Sequence, residues 1–339
     1  MKTIFFAPAI MLTLASLLST AHAQTPPTGR APQTPGGTRV NVPLPASDAV
    51  LTADLKRILT EAAPQALAGD AQRLAQLNAD VDEFKSRTGV DAREFDTLAV
   101  GARLTRLASG AAKISSVVAV ARGAFDAGAL VSRTRAAAGG RLSEQIYGGK
   151  TLYVIAANDR IKLFGLLKTH VSDLAICVLD RYTLLVGEPS AVRAAVDAAA
   201  GRGGRVDPTL LNQAQTNGNL VAFAGNVPAG TFAGMDTGLP NVDHALANIR
   251  GFYGSINSTP AGIQLATTLR AANESDAKQL YQTADALRQV APGLISMAGE
   301  KGKFAQGAIN SLKITTRGSE VQLHLDVPQA DISALLRAL

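Results

Sequence analysis

From Leu312 to Val327 the chain alternates with period two across a hairpin. Leu312 and Ile314, then Val321, Leu323 and Leu325, point one way, while Lys313, Thr315, Gln322, His324 and Asp326 point the other, with Arg317-Gly318-Ser319 at the turn. Such a pattern buries one face and wets the other, which an antiparallel sheet tolerates and an all-parallel sheet does not. Other strand-like runs precede it: residues 97–104 and 115–122, EQIY, TLYVIAA, LAICVLD, YTLLVG, NLVAFAGNV, RGFYGSINS and GIQLATTLRA. Helical periods separate them at 125–138, from Pro189, and after Asn273, where Asp276 three residues on completes an N-terminal cap. The expected class is α+β, antiparallel sheet with packed helices.

One corner is used twice. YTLLVG-E-P-SAVRAAVDAA and VQLHLDV-P-QADISALLRAL each run from a strand through a proline into an amphipathic helix. Proline suits a first helical position because its missing N–H has no intrahelical partner there. The reuse predicts two related lobes, residues 89–206 and 207–339, as a degenerate internal duplication with Gly201 to Gly204 as a flexible joint. Residues 159–169 read as an inserted helical excursion. Ahead of the lobes, residues 47–88 read as an N-terminal helical segment. Ser47 would cap a first helix bearing Val50, Leu51, Leu55, Ile58 and Leu59, Pro64 would end it, and a second would carry Leu67, Leu74, Leu77, Val81 and Phe84.

Residues 1–23 have the form of a secretory signal: Lys2, an apolar run from Ile4 to Leu18, and Ala21-His22-Ala23 before the expected cleavage. Gln24, not a cysteine, follows the cleavage site, which argues against a lipoprotein, and no later apolar run approaches the roughly 20 residues of a transmembrane span. An exported, periplasmic or extracellular protein is expected. Residues 24–46, rich in Pro, Gly and Thr, read as a disordered spacer. Cys177 is the single cysteine, so no internal disulfide forms; both alternating faces of LAICVL around it are apolar, which predicts a buried structural thiol.

The net charge of +6 draws the chain to anionic surfaces. Its arginines are scattered, though, and with no Trp and 4% aromatic residues the stacking platforms for nucleic acid and sugars are scarce. No nucleic-acid partner is expected.

No motif brings chemistry with it. GEPSAV has one glycine, no lysine, and Glu188 where a phosphate would sit; Gly148-Gly149-Lys150-Thr151 lacks the earlier glycine of a phosphate loop and leads into a strand. Ser275-Asp276-Ala277-Lys278 matches S-x-x-K without its companion motifs. His170, His244 and His324 stand apart from other ligands at metal spacing. Asp80, Asp82 and Glu83 read as a solvated helix face, and Asp91, Glu94 and Asp96 as a turn lacking calcium-loop spacing. The sequence therefore nominates no catalytic, cofactor-binding or metal-ligating residue and implies no cofactor.

The run from Phe84-Lys85 through Thr88-Gly89-Val90-Asp91 into FDTLAVG, followed by VVAVARGAFDAGAL and LAICVLDRYTLLVGEPSAVRAAVD, resembles a loose group of bacterial exported α+β proteins of unknown function. The resemblance implies architecture and location and carries no activity. The expected role is a non-catalytic cell-envelope protein that binds an envelope protein or an anionic envelope component. A carrier of an apolar ligand is the first alternative, and a hydrolase with an unrecognised site the second.

Overall fold

A computed structural model describes residues 42–106, 112–156, 160–163, 167–170, 173–216, 218–232, 239–259, 261–297, 303–329 and 331–332. The expected spacer and the chain's end are therefore described only at 42–46 and up to 332.

The first described residues pack against the protein. Leu44 is fully buried, Pro45 bridges to Arg205, and Ala46 N–H donates to the Gly204 carbonyl at 3.0 Å. The spacer reading fails there because composition hid the alternation of Val42 and Leu44 among prolines. The next segment, β1 (Ala49–Asp54), is a strand where a capped helix was expected. Over six residues the helical and strand periods overlap. β1 has core on both sides, Val50 facing one and Ala53 the other, so strict alternation is lost.

Asp54 then caps a helical run, accepting from Arg57 N–H at 3.0 Å. The run continues Leu55–Arg57, through a π-helical turn Ile58–Ala62, into Ala63–Ala66. Pro64 does not end it, because it lies in the first turn of the last piece, where an N–H is dispensable. Helix α1 (Ala71–Thr88) is capped by Asp70 and ended by Gly89 at φ +77°. It buries Val81 and Phe84.

Strands β2 (Thr97–Arg106) and β3 (Ala112–Arg122) follow, then α2 (Ala127–Ala138), β4 (Leu142–Tyr147) and β5 (Lys150–Ala156). The insertion is a small separate hairpin, β6 (Arg160–Leu163) with β7 (Leu167–His170), rather than a helical excursion. Next come β8 (Asp173–Asp180), β9 (Thr183–Gly187), α3 (Pro189–Ala199) and α4 (Pro208–Gln213). The last third runs β10 (Val221–Asn226), α5 (Pro240–Ala247), β11 (Ile249–Thr259), β12 (Gly262–Ala271), α6 (Glu274–Met297), α7 (Lys303–Ser311), β13 (Lys313–Arg317) and β14 (Glu320–Pro328). The expected cap on α6 is formed: Asn273 Oδ1 accepts from Asp276 N–H at 2.9 Å. The glycine joint is tied down, with Arg202 N–H on the Asp197 carbonyl at 2.7 Å and Arg205 on that of Ala198. The closing helix of 328–339 begins at Gln329 and lies mostly outside the described residues.

Twelve of the strands form one antiparallel sheet in the order β13-β14-β12-β11-β10-β1-β2-β3-β9-β8-β5-β4. The protein is α+β with a large antiparallel sheet. β1 lies between β10 and β2, pairing Ala49 with Gly225 on one side and with Ala102 on the other.

One face is covered by the Leu55–Ala66 run, α1, α2 and α7, whose core includes Leu55, Phe84, Phe95, Leu130, Ile155 and Leu184. Near β14 that covering passes to α5 and α6, through Ala245, Ala277, Leu280 and Val321. The opposite face is covered from β5 to β10 by α3, α4 and residues 42–47, around Leu44, Val120, Leu185, Val192 and Leu210. Covering on both sides explains why β9 is buried at every position and why LAICVL is apolar on both faces. Each such side chain contributes about 1.5–3 kcal/mol by burial. Cys177 is fully buried and its thiol is pushed up to about 11 by burial, as an inert structural cysteine requires.

The second face of β11, β12, β14 and β13 meets no helix among the described residues. Its side chains hydrogen-bond to one another: Arg270 to Asn226 at 2.9 Å, Tyr253 OH to Glu320 at 3.1 Å, and Gln264 to Asp326 at 3.0 Å. His324 Nε2 stands 3.3 Å from Asp326 on this wet face, as the alternation predicts.

Candidate functional site

The corner after β9 is assembled from a defect in its neighbour. In the β2–β3 pair Gly101 faces Val118 but Arg103 faces Ser115, so Ser116 and Val117 together oppose Ala102. This β-bulge puts Ser116 at φ +53°, the one non-glycine residue with positive φ among the described residues. It also takes the Ser116 and Val117 N–H groups out of the ladder. Glu188 supplies the acceptors, its two carboxylate oxygens each 3.2 Å from one of these nitrogens. Its own N–H donates to the Val117 carbonyl at 2.9 Å. Gly187 is required because a Cβ there would lie 2.3 Å from that same carbonyl oxygen. Pro189 then opens α3. The glycine, the carboxylate and the proline each have a backbone task.

Beside this corner lies a cleft of about 320 Å³ lined by Pro45, Ala46, Arg103, Ser116, Ser190, Ala191, Ala194 and Gly204. Among the described residues its polar side-chain groups are the Arg103 guanidinium and two serine hydroxyls, and no histidine, cysteine or lysine lines it. Arg103 is half-exposed and 3.7 Å from Asp48, whose other oxygen accepts from Leu104 N–H at 3.0 Å. Such a lining can hold a small polar group by hydrogen bonds. None of those side chains is a base that could activate either serine.

A second, more open depression of about 470 Å³ lies between α1 and α2, lined by Asp82, Lys85, Ser86, Gly89, Arg133, Ala136 and Ala137. Its charges are committed to structure. Arg133 forks onto Glu94 at 2.7 and 2.8 Å, Lys85 reaches Asp91 at 2.8 Å, and Arg93 reaches Asp82 at 2.8 Å. Burial opposes ionisation of Asp91, but Lys85 and the Arg93 N–H outweigh it and hold the carboxyl below its usual value. A carboxyl lowered in the folded state stabilises it above the unfolded value of about 4, and that stability is lost as pH falls through the folded value. Asp91→Asn should therefore lower the denaturation midpoint at pH 7 and flatten its decline below pH 4; an unchanged acid limb would exclude this role for Asp91.

The remaining motifs are dispersed. Gly148 and Gly149 make the β4–β5 turn. Lys278 pairs with Glu274 at 3.0 Å, one helical turn back, while Ser275 is exposed. His244 is in the last turn of α5, and His170 ends β7. Among the described residues no three His, Cys, Asp or Glu side chains cluster to hold a metal, and no helix is long and apolar enough to cross a membrane. The bulge at Ser116 is the feature sequence reasoning missed. No local signal marks it, because Glu188 finds its donors 71 and 72 residues away in sequence.

No protein-family model and no curated protein matches the chain. Among solved structures, crystal forms I and III of the treponemal protein TP0453 overlap it at 9% identity, with TM-scores of 0.44 and 0.46. The overlap covers 89% of this chain and 97% and 98% of those chains, a likeness too loose to carry any inference about role.

Proposed function

We propose that the chain is a non-catalytic, exported cell-envelope protein that works as a binding module. One observation carries this reading. The sheet face of β11, β12, β14 and β13 is bare of helices among the described residues, whereas the same face from β5 to β10 is packed. A broad polar face held in shape by its own hydrogen bonds suits a protein partner or a polar envelope component. Export rests on the leader-like residues 1–23. The self-satisfied corner at Glu188 supports it, since this phosphate-loop-like turn is used up by backbone.

Two related lobes, 89–206 and 207–339, are part of the proposal. The order β1-β2-β3-β9-β8 parallels β10-β11-β12-β14-β13, each a three-strand meander followed later by a returning hairpin, although β1 precedes residue 89 and the chain between β3 and β8 carries β4 to β7 as well as α2, where only α6 and α7 separate β12 from β13. The meanders meet at the antiparallel β1–β10 pair, where a duplication would place its pseudo-twofold axis.

The test is affinity capture from envelope extract with the chain from residue 24 onward, in parallel with a Thr315→Glu, Gln322→Glu variant whose buried face is untouched. An envelope component retained by the first and lost by the second is expected. If nothing rises above background, or if the variant retains it equally, the bare face is not the binding surface.

A further inference from the structure

Both ends of the large sheet are open among the described residues, at β13 and at β4. The two edges are built differently. β13 spans five residues and carries Lys313 and Arg317, exposed cations of the kind that discourage edge pairing. β4, LSEQIY, has no cation, and its Ile146 is 85% exposed, against about half or less for other large apolar side chains such as Ile114 and Tyr182. An open strand presenting a β-branched side chain to solvent is a template for another strand.

The charge around β4 narrows the occupant. Its carboxylate, Glu144, is neutralised by Arg135 at 2.7 and 3.1 Å. Nearby Asp197 is taken by Arg202 at 3.0 Å and by Tyr147 OH at 2.5 Å. Three cations remain with no carboxylate within 4.0 Å among the described residues. Arg141 immediately precedes the strand and donates to the Ala137 carbonyl at 3.2 Å. Lys150 pairs in register with Tyr147. Arg193 donates to Gln145 Oε1 and lies over the Tyr147 ring, 5.9 Å from its centroid. The edge is thus positive near both ends.

We propose that β4 is a docking edge for an extended acidic segment of a partner protein, which adds to the sheet as a further strand. Main-chain hydrogen bonds supply the attachment, Ile146 gives an apolar contact, and Arg141, Lys150 and Arg193 favour carboxylates on the incoming strand. A second copy of this chain is disfavoured, because β4 against β4 would bring the same cations face to face. This surface lies at the opposite end of the sheet from the bare face described above, so either can fail without the other.

The probes are fluorescent ten-residue peptides: one alternating Val and Glu, one alternating Val and Lys, and one acidic peptide of Glu-Pro-Pro repeats, whose prolines remove donors from both sides of an extended strand, so that it keeps acidic charge but cannot extend a ladder. Against the chain from residue 24 onward, only the Val/Glu peptide should bind. Its affinity should fall about tenfold or more in an Ile146→Asp variant and in an Arg141→Gln, Lys150→Gln, Arg193→Gln variant. On the unmodified protein, amide exchange should slow in residues 142–147 when the Val/Glu peptide is added, a readout independent of how the variants fold. Equal binding of the proline-containing acidic peptide, equal binding of the Val/Lys peptide, or unchanged exchange across β4 would each overturn the proposal.

Discussion

Replacing Gly89 with alanine lowers the folding stability by about 3 kcal/mol, read as a drop in the denaturant midpoint with an unchanged slope. Gly89 closes α1 in the left-handed region at φ +77°, its N–H donating to the Lys85 carbonyl at 2.7 Å. A side chain there meets the conformational cost of that region, about 1–2 kcal/mol. It also meets backbone: the added Cβ would sit 2.3 Å from Thr134 N and 2.5 Å from Arg133 C, within α2. Neither atom is the end of a flexible side chain, so α1 and α2 must separate, an overpacking cost of about 1–3 kcal/mol. Gly201 is the control. Its φ is +74°, but nothing lies within 4 Å of its Cβ position, so Gly201→Ala should lose only the conformational part. Equal losses at the two sites would mean that the helix contact contributes nothing.

Glu188→Ala is expected to cost about 1–3 kcal/mol, because it leaves the bulge N–H groups of Ser116 and Val117 without an acceptor in a partly buried corner. The variant should also acquire a dependence on anions that the unmodified protein lacks. Two converging N–H groups at the entry to α3, freed of their internal carboxylate, would take sulfate or phosphate. Thermal midpoints with and without inorganic phosphate separate the outcomes. Stabilisation of the variant alone supports an internal carboxylate holding the corner together. Equal stabilisation of both proteins would mean that the corner binds anion with Glu188 in place.

The class of the fold was legible because the helical and strand periods stay distinct over long segments. Alternation from Leu312 to Val327 survives because that part of the sheet is wet on one side. The start of α6 was legible from the Asn273 cap and from Ala277 and Leu280, which are buried, whereas Leu287, read as part of the same buried face, is exposed. What escaped were segments where the two periods converge or composition misleads. β1 is six residues with core on both sides, so Val50, Leu51 and Leu55 fit a helix equally well. Leu44 was hidden among prolines, and a four-residue strand such as β6 is too short to show a period. The Ser116 bulge could not be read at all, since it depends on register between strands and on a carboxylate 72 residues away. The β4 edge was invisible for a related reason: LSEQIY looks like any other strand until its neighbours are counted.

The position of β1 determines when this protein can finish folding. Its partner β10 begins only at Val221, so Ala49 must wait for Gly225. Until then one flank of β1 is a row of unmet amide and carbonyl groups. A pairing that closes so long a loop is slow and exposes the incompletely folded chain to aggregation. A piece ending at residue 206, made alone, lacks the strand that covers β1, so it should be sticky and short-lived where the chain that includes β10 is stable.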